Sequence, residues 1–382
     1  MKKVPTFGSL GIIREINPHE GTETQRKAQS LQIAPLCLCA FVRGLCQKSF
    51  IFCLIFLLLP ACSRADEQTP DKTIEVIEEQ PTIIQEPKIV EPRFTLIPEN
   101  VKPGEPVTVG YCDNFKEKNL KGLQAVLLSP DGKRLTKAAF FSPAVEEGES
   151  ELMAAILAVP STTAPGELSI LIESSQGMIT ILPIDIEPRE FPSETIHLNQ
   201  QNTDIRTVPD PQKTTESELL WTILSRTGTE VYSGDAFVFP VSSTRRTSHY
   251  GDRRVYLYTG GSSDTTIHAG IDIGVPTGTE VRACAAGKVV LARNRIVTGN
   301  TVVLEHLPGL YSLYYHMDKI AVQEGIIVEA GFPLGESGST GLATGPHLHW
   351  EIRVSTENAD PDAFLARPIL DKKAIMDRIG SN

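Results

Sequence analysis

The chain is short of positive charge, of cysteine beyond its N-terminal segment, and of long apolar runs. Over 382 residues, Asp and Glu outnumber Lys and Arg by 47 to 36, a formal net charge of −11. That balance speaks against phosphate backbones, so no nucleic acid is expected as a partner. Five of the 7 cysteines lie at or before Cys62, and only Cys112 and Cys284 come later. Two distant thiols make neither a disulfide framework nor a zinc-finger spacing, and they read as free buried side chains. The apolar run FIFCLIFLLL, Phe50 to Leu59, is 10 residues long. A helix needs about 20 such residues to span a bilayer. No internal repeat is visible.

What the short run does suit is the apolar region of a signal peptide, with Arg43 and Lys48 as its basic flank. It ends in LPAC, Leu59 to Cys62, which resembles a bacterial lipobox. The resemblance implies lipidation of Cys62, and with it an exported protein anchored in a membrane and facing the periplasm or cell wall. Residues 1–62 are therefore read as a leader. A signal peptide of ordinary length would begin near Val42, so residues 1–41 are expected to lie upstream of the true start.

Residues 63–92 read as a tether. From Asp66 to Pro92 there are 8 acids against 2 bases, interrupted by Pro70, Pro81 and Pro87. Such a segment repels itself and stays extended. Residues 93–190 alternate short apolar runs (PVTVGYC, LQAVLLSP, ELSILIE) with turn compositions KPGE, PDGK and APGE. That spacing predicts an immunoglobulin-like β-sandwich. It carries no catalytic constellation and is expected to act as a spacer or as a binding module for a cell-wall protein. Residues 191–236 connect. Within them TESELLWTIL predicts a helix started by a capping box of Thr215 and Glu218 and packed on the C-terminal domain. That domain, residues 237–382, is again strand-rich and glycine-punctuated, as expected of a compact antiparallel sheet, with a closing helix near DKKAIMDRI.

Six of the 8 histidines fall in this last region: His249, His268, His306, His316, His347 and His349. In TGPHLHWEIR, read as a strand, His347, His349 and Glu351 share one face while Leu348, Trp350 and Ile352 share the other. An HxH pair alone is a weak metal signal, since a surface pair has the same spacing. HAGID adds His268 and Asp272, four apart and facing the same way if extended. A His–Asp pair plus one imidazole of HxH supplies three ligands with a fourth position open, the pattern of a catalytic zinc site rather than a closed structural one. His316, in YYHM, on its own would equally read as a satisfied core histidine.

Taken together, HAGIDIGVPTGTEVRA, LYYHM and GSTGLATGPHLHWEIR resemble the lysostaphin-type (LytM-domain) zinc metalloendopeptidases, which cut peptidoglycan peptides. SHYGDRR, Ser248 to Arg254, resembles the segment before the first ligand in that family. The resemblance covers about residues 237–366. It implies an antiparallel β-sheet metallopeptidase domain with a groove and one Zn2+, which together with the sandwich makes a mainly β protein. It further implies His268, Asp272 and His349 as zinc ligands, and His316 and His347 as catalytic imidazoles. His249 is then groove wall and His306 a supporting residue. Tyr314 matches a recurrent tyrosine, leaving a hydroxyl near the site and a core ring both open.

No HExxH motif occurs, so the glutamate base of many zinc proteases is absent and the two imidazoles are its replacements. One would take or orient the proton of the attacking water; the other would donate to the developing oxyanion and help protonate the leaving amine. Their assignment stays open. So does the role of GESGSTGLATG, either a loop that approaches substrate or a tight bend. The expected function is zinc-dependent endopeptidase action on peptidoglycan cross-links or stem peptides, for wall remodelling. The alternatives are a non-catalytic regulator that activates other wall hydrolases, and a zinc-bearing adhesion module. Which peptide bond is cut is not encoded in any motif.

Overall fold

The computed structural model describes residues 94–113, 122–143, 151–226 and 228–381. The expected leader, Cys62 and the acidic tether lie outside the described residues. No helix among the described residues is long and apolar enough to cross a membrane.

The first described region is a two-sheet sandwich. One antiparallel sheet runs Phe94–Ile97, Pro106–Asp113, Glu151–Ala158; the other runs Asn100–Val101, Gly177–Ile186, Gly166–Ser174, Gln124–Leu128, Arg134–Ala139. Period-2 alternation assigns the faces. In Pro106–Asp113, Val107, Val109 and Tyr111 join Ala125, Leu127, Ile170 and Ile184 of the other sheet in one apolar core. The expected turn at PDGK is present: Gly132 takes φ 83° and donates its N–H to the Ser129 carbonyl at 2.8 Å.

The opposite face of the three-stranded sheet is not solvated. Cys112, Leu152, Ala154 and Ile156 share a second core with Ile369, Leu370 and Ile375 from the end of the chain. The closing helix, Lys372–Ser381, lies over this face. It can do so because residue 110 is glycine: a Cβ there would sit 2.2 Å from Ile375 Cγ2. Thr108 Oγ1 donates to the Ile369 carbonyl at 2.7 Å. Arg189 adds a polar clamp, donating to Asp360 Oδ2 at 2.5 Å and to the Pro103 carbonyl at 3.1 Å.

The C-terminal region is a 10-stranded sheet. Its central path runs Arg246–Ser248, Gly270–Ile273, Leu348–Val354, Leu310–Ile320, Gly299–Leu307, Gly287–Arg295, Ile327–Val328. The pairs along this path are antiparallel. Leu348, Trp350 and Ile352 are fully buried on one face with Ile271, Ile273 and Tyr314. The other face carries the histidines.

The connector is more ordered than a linker. Ser193–His197 pairs in parallel with Arg253–Leu257, which in turn pairs antiparallel with Ser263–Ile267. Two helices come next, Gln200–Thr207 and Pro211–Leu224. The second contains the expected helix but does not start at a Thr215–Glu218 box. Asp210 is the N-cap, its Oδ1 accepting the Gln212 N–H at 2.8 Å, with Pro211 in the first turn. Proline there needs no N–H partner and is preset in φ, so the helix begins about one turn earlier. Thr215 Oγ1 only donates back to the Pro211 carbonyl at 3.2 Å. The helix buries Ile223 and Leu224 against Leu291, Val303, Tyr311 and Tyr315 of the sheet, as expected. Each such burial contributes about 1.5–3 kcal/mol.

Candidate metal centre

Three neighbouring strands put the site in one row. The register pairs Asp272 with His349 and His349 with Tyr315. Asp272 reaches that register because residue 270 is glycine; a Cβ there would lie 2.3 Å from the Trp350 carbonyl oxygen. His268, two residues before the Gly270–Ile273 strand, closes the cluster. His268 Nε2, Asp272 Oδ1 and His349 Nδ1 lie 3.1, 3.0 and 2.8 Å apart pairwise, on side chains that are all buried.

The outer atoms of these groups determine what the inner ones can do. His268 Nδ1 meets the His249 carbonyl at 2.8 Å, an acceptor only, so Nδ1 carries the hydrogen and Nε2 presents a lone pair. His349 Nε2 faces Glu351 Oε2 at 3.4 Å, so Nδ1 presents the lone pair. Asp272 Oδ2 accepts from Arg254 Nη2 at 2.6 Å, leaving Oδ1 for the centre. Three lone pairs therefore converge where only a proton or a cation can relieve their repulsion. Donors on tetrahedral zinc, at bonds of about 2.1 Å, sit about 3.4 Å apart. The side chains need open by only a few tenths of an ångström. Two imidazoles and one carboxylate, with no thiolate, form a donor set for zinc, and tying each ligand's far atom is the usual way such ligands are oriented.

Charge supports the same reading. Burial pushes the Asp272 carboxyl up, yet the His268 and His349 rings outweigh it and hold it well below the usual carboxylate range. Burial pushes His268 down despite the adjacent Asp272 carboxylate. At His349 burial also acts downward, but hydrogen bonds and charge from Asp272 and Glu351 lift the ring to about 9. A proton and a metal ion compete for that nitrogen. Burial raises the Glu351 carboxyl, while the Arg353 charge and His349 bring it to about 2, so it stays ionised behind the ring.

The other two imidazoles border the cluster. His347 Nε2 lies 3.7 Å from Asp272 Oδ1, and its Nδ1 donates to the Gly345 carbonyl at 2.8 Å. His316 Nδ1 donates to the Thr340 carbonyl at 2.7 Å, and the His316 and His347 ring centroids are 4.8 Å apart. Both rings thus carry their hydrogen on Nδ1 and present Nε2 as a lone pair. Burial and the neighbouring rings His347 and His349 push His316 down to about 3, so it is neutral. His316 sits at a bulge, with the ladder register shifting between Asn300 and Val302, and takes φ 61°, a left-handed conformation costly for a side chain. Its N–H donates to the Thr298 carbonyl at 2.9 Å. The glycine-rich loop is thus more than a bend. Its Thr340 and Gly345 carbonyls orient both imidazoles, and Leu342 and Thr340 lock it to residues 297–300.

The remaining histidines separate cleanly. His249 has an exposed side chain and contributes its carbonyl to His268. His306 is fully buried away from the cluster, between the Ala286 carbonyl at 2.8 Å and Ser312 Oγ at 2.7 Å, and burial lowers it to about 4. Tyr314 is a core ring whose hydroxyl accepts the Cys284 N–H at 2.9 Å. Three side chains at the site have no role in the motif reading. Arg254 was seen only as part of SHYGDRR, and Glu351 only as a member of the polar face. Tyr315, stacked on His349 at 5.1 Å and 4°, also escaped notice. Arg254 lies outside the ligand motifs and has no local signal, whereas Glu351 had one in the strand alternation that places it beside His349.

Residues 266–361 match the family described as Peptidase family M23. This stretch holds His268, Asp272, His316, His347 and His349. The peptidoglycan DD-endopeptidase ShyA of Vibrio cholerae is 39% identical over 117 residues, covering 30% of this chain and 26% of the relative. The DD-carboxypeptidase/endopeptidase Mpg of Neisseria meningitidis is 37% identical over 123 residues, covering 32% and 27%. Among solved structures, the catalytic domain of the antimicrobial peptidase lysostaphin from Staphylococcus simulans is 34% identical, with a TM-score of 0.28 over 32% of this chain and 91% of that one. The chain spans about a quarter of the length of the curated relatives it matches. It carries an M23 peptidase domain.

Proposed function

We propose that this protein is a zinc-dependent endopeptidase that hydrolyses peptide bonds in peptidoglycan cross-links or stem peptides. The observation that carries the reading is the convergence of three lone pairs from His268, Asp272 and His349, bordered by two further imidazoles with free Nε2 atoms. When bound, zinc supplies Lewis acidity that polarises a carbonyl and makes water more acidic. The chain's own residues do the rest. His268, Asp272 and His349 hold the ion. His316 and His347, anchored by Nδ1 to backbone carbonyls, accept a proton at Nε2 from the attacking water and return one to the leaving amine. The same two rings donate to the developing oxyanion once protonated.

The intact donor set supports an enzyme over a non-catalytic regulator, which has no use for His316 and His347 in these positions. Peptidoglycan as substrate is supported by the names of the relatives. Export and anchoring through a lipid at Cys62 are supported by the LPAC motif, and a sandwich-borne protein partner by that region's want of catalytic groups. The test is direct: the purified protein should bind one zinc and release new amino groups from purified peptidoglycan, lost on chelation and restored by zinc. Mass spectrometry of the muropeptides names the bond. A protein that binds zinc but releases no amino groups overturns the reading.

A further inference from the structure

The buried face of the hairpin strand Arg253–Leu257 holds an ion pair that the M23 match does not reach, and its outer member belongs to the connector. We propose that Arg254 and Glu194 form a positioning pair that fixes Asp272 as a one-oxygen metal ligand, which makes the connector strand Ser193–His197 part of the metal site. The inference rests on the zinc reading.

The strand register sets Arg254 directly beside Glu194. Arg254 is 8% exposed, and its guanidinium is divided between two carboxylates: Nε donates to Glu194 Oε1, and Nη2 donates to Asp272 Oδ2 at 2.6 Å. Ser248, which pairs with Asp272 across the sheet, donates its hydroxyl to both Glu194 oxygens at 2.9 and 3.0 Å. This arrangement acts on the metal in two ways. A carboxylate with both oxygens free can chelate an ion through both. With Oδ2 bound to Arg254, only Oδ1 faces His268 and His349. Arg254 alone would also place an uncompensated cation beside the metal and weaken its hold. Glu194 offsets that charge and, through the rigid guanidinium plane, fixes its angle. A lysine reaches only one of the two carboxylates.

The experiment measures zinc affinity in the full chain by competition with a chromogenic chelator, alongside the visible spectrum of the cobalt-substituted protein and the metal-free Tm. Arg254→Met is expected to raise the zinc Kd ~10–100-fold, the scale seen when a ligand's orienting partner is removed. Its cobalt absorption should weaken, because a second oxygen entering raises the coordination number. Glu194→Gln should raise the Kd about tenfold with little change in metal-free Tm, an effect a purely structural ion pair would not give. Arg254→Lys should fall between. If the methionine variant does not fold, Glu194→Gln and Arg254→Lys decide the matter. Zinc binding and cobalt spectra unchanged in both overturn this proposal alone. Failure of the unaltered protein to bind zinc overturns it together with the reading on which it rests.

Discussion

Pro106–Asp113 and Leu348–Val354 are each buried on both faces, and they differ in what the second face carries. In Pro106–Asp113 both faces are covered, and the one buried hydroxyl on its second face, Thr108, has the Ile369 carbonyl. In Leu348–Val354 one face is Leu348, Trp350 and Ile352, while the other is His349, Glu351 and Arg353. Buried polar groups are tolerated only when partnered. Glu351 Oε1 accepts from Arg353 and from Asn358 at 2.9 Å, and every outer ligand atom is likewise engaged. On this polar face three lone pairs meet at one point. The first strand's second face is closed by packing; the second strand's presents donors that could hold a cation. Identical β geometry thus yields scaffold in one place and chemistry in the other.

The sharpest way to break this contrast is to truncate one inward side chain on each strand. His349→Ala should abolish zinc binding and lower peptidoglycan cleavage at least ~10³-fold, on the scale of losing a principal electrostatic stabiliser. Val109→Ala, in the sandwich core, should cost about 2–3 kcal/mol of stability while leaving one zinc bound. Zinc stoichiometry by atomic absorption and denaturant unfolding read the two effects. Equal loss of zinc in both variants would mean that the metal site depends on the sandwich's packing as much as on its own ligands.

His347→Ala sharpens the contrast within the polar strand. It should retain zinc, because His347 is outside the three-donor set, and lose turnover ~10²–10⁴-fold. Unchanged turnover would remove His347 from the chemistry.

A third contrast concerns pH. The sequence has no histidine between residues 94 and 190, whereas His306 is buried in the C-terminal sheet at about 4. Its folded value lies below the unfolded value of about 6.5. Its contribution is therefore fully present above pH ~6.5 and is lost as pH falls toward ~4, where the unfolded chain binds the extra proton. The loss amounts to about 3 kcal/mol. His306→Asn, which can bond to similar partners, should flatten the slope of stability against pH in that window. An unchanged slope would place the titration elsewhere.

The contrast also explains what could be read in advance. The polar face of HLHWEI was legible because alternation is local, and HAGID because its spacing puts two donors on one side; the role of His316 in YYHM was legible only through the family resemblance. The sandwich's first core was legible from its turns for the same reason. What escaped depends on contacts between distant segments. The Thr340 and Gly345 carbonyls that set the tautomers are main-chain atoms and leave no residue signature. Arg254 is one arginine among many until the fold puts it 2.6 Å from Asp272. The start of the second connector helix was misplaced because Thr215–Glu218 fits a capping pattern, while Asp210–Pro211 is the stronger local start. The second face of Pro106–Asp113 was missed because alternation cannot say that the closing helix, some 260 residues later, will cover the side bearing Thr108, Gly110 and Cys112.

That covered face gives the smallest and most local test. Gly110 is an absence of side chain that lets Ile375 approach, so Gly110→Ala should overpack the contact and cost about 1–3 kcal/mol. Ile375→Ala alone should leave a cavity and cost about 2–5 kcal/mol. Because the added methyl occupies the space the isoleucine vacates, the double variant should be more stable than the sum of the two costs, with a coupling of about 0.5–3 kcal/mol. Chemical denaturation of the four proteins measures it. Additive costs would mean that the helix does not bear on this strand. Full zinc binding in all four would show that the apolar strand can be disturbed without reaching the polar one.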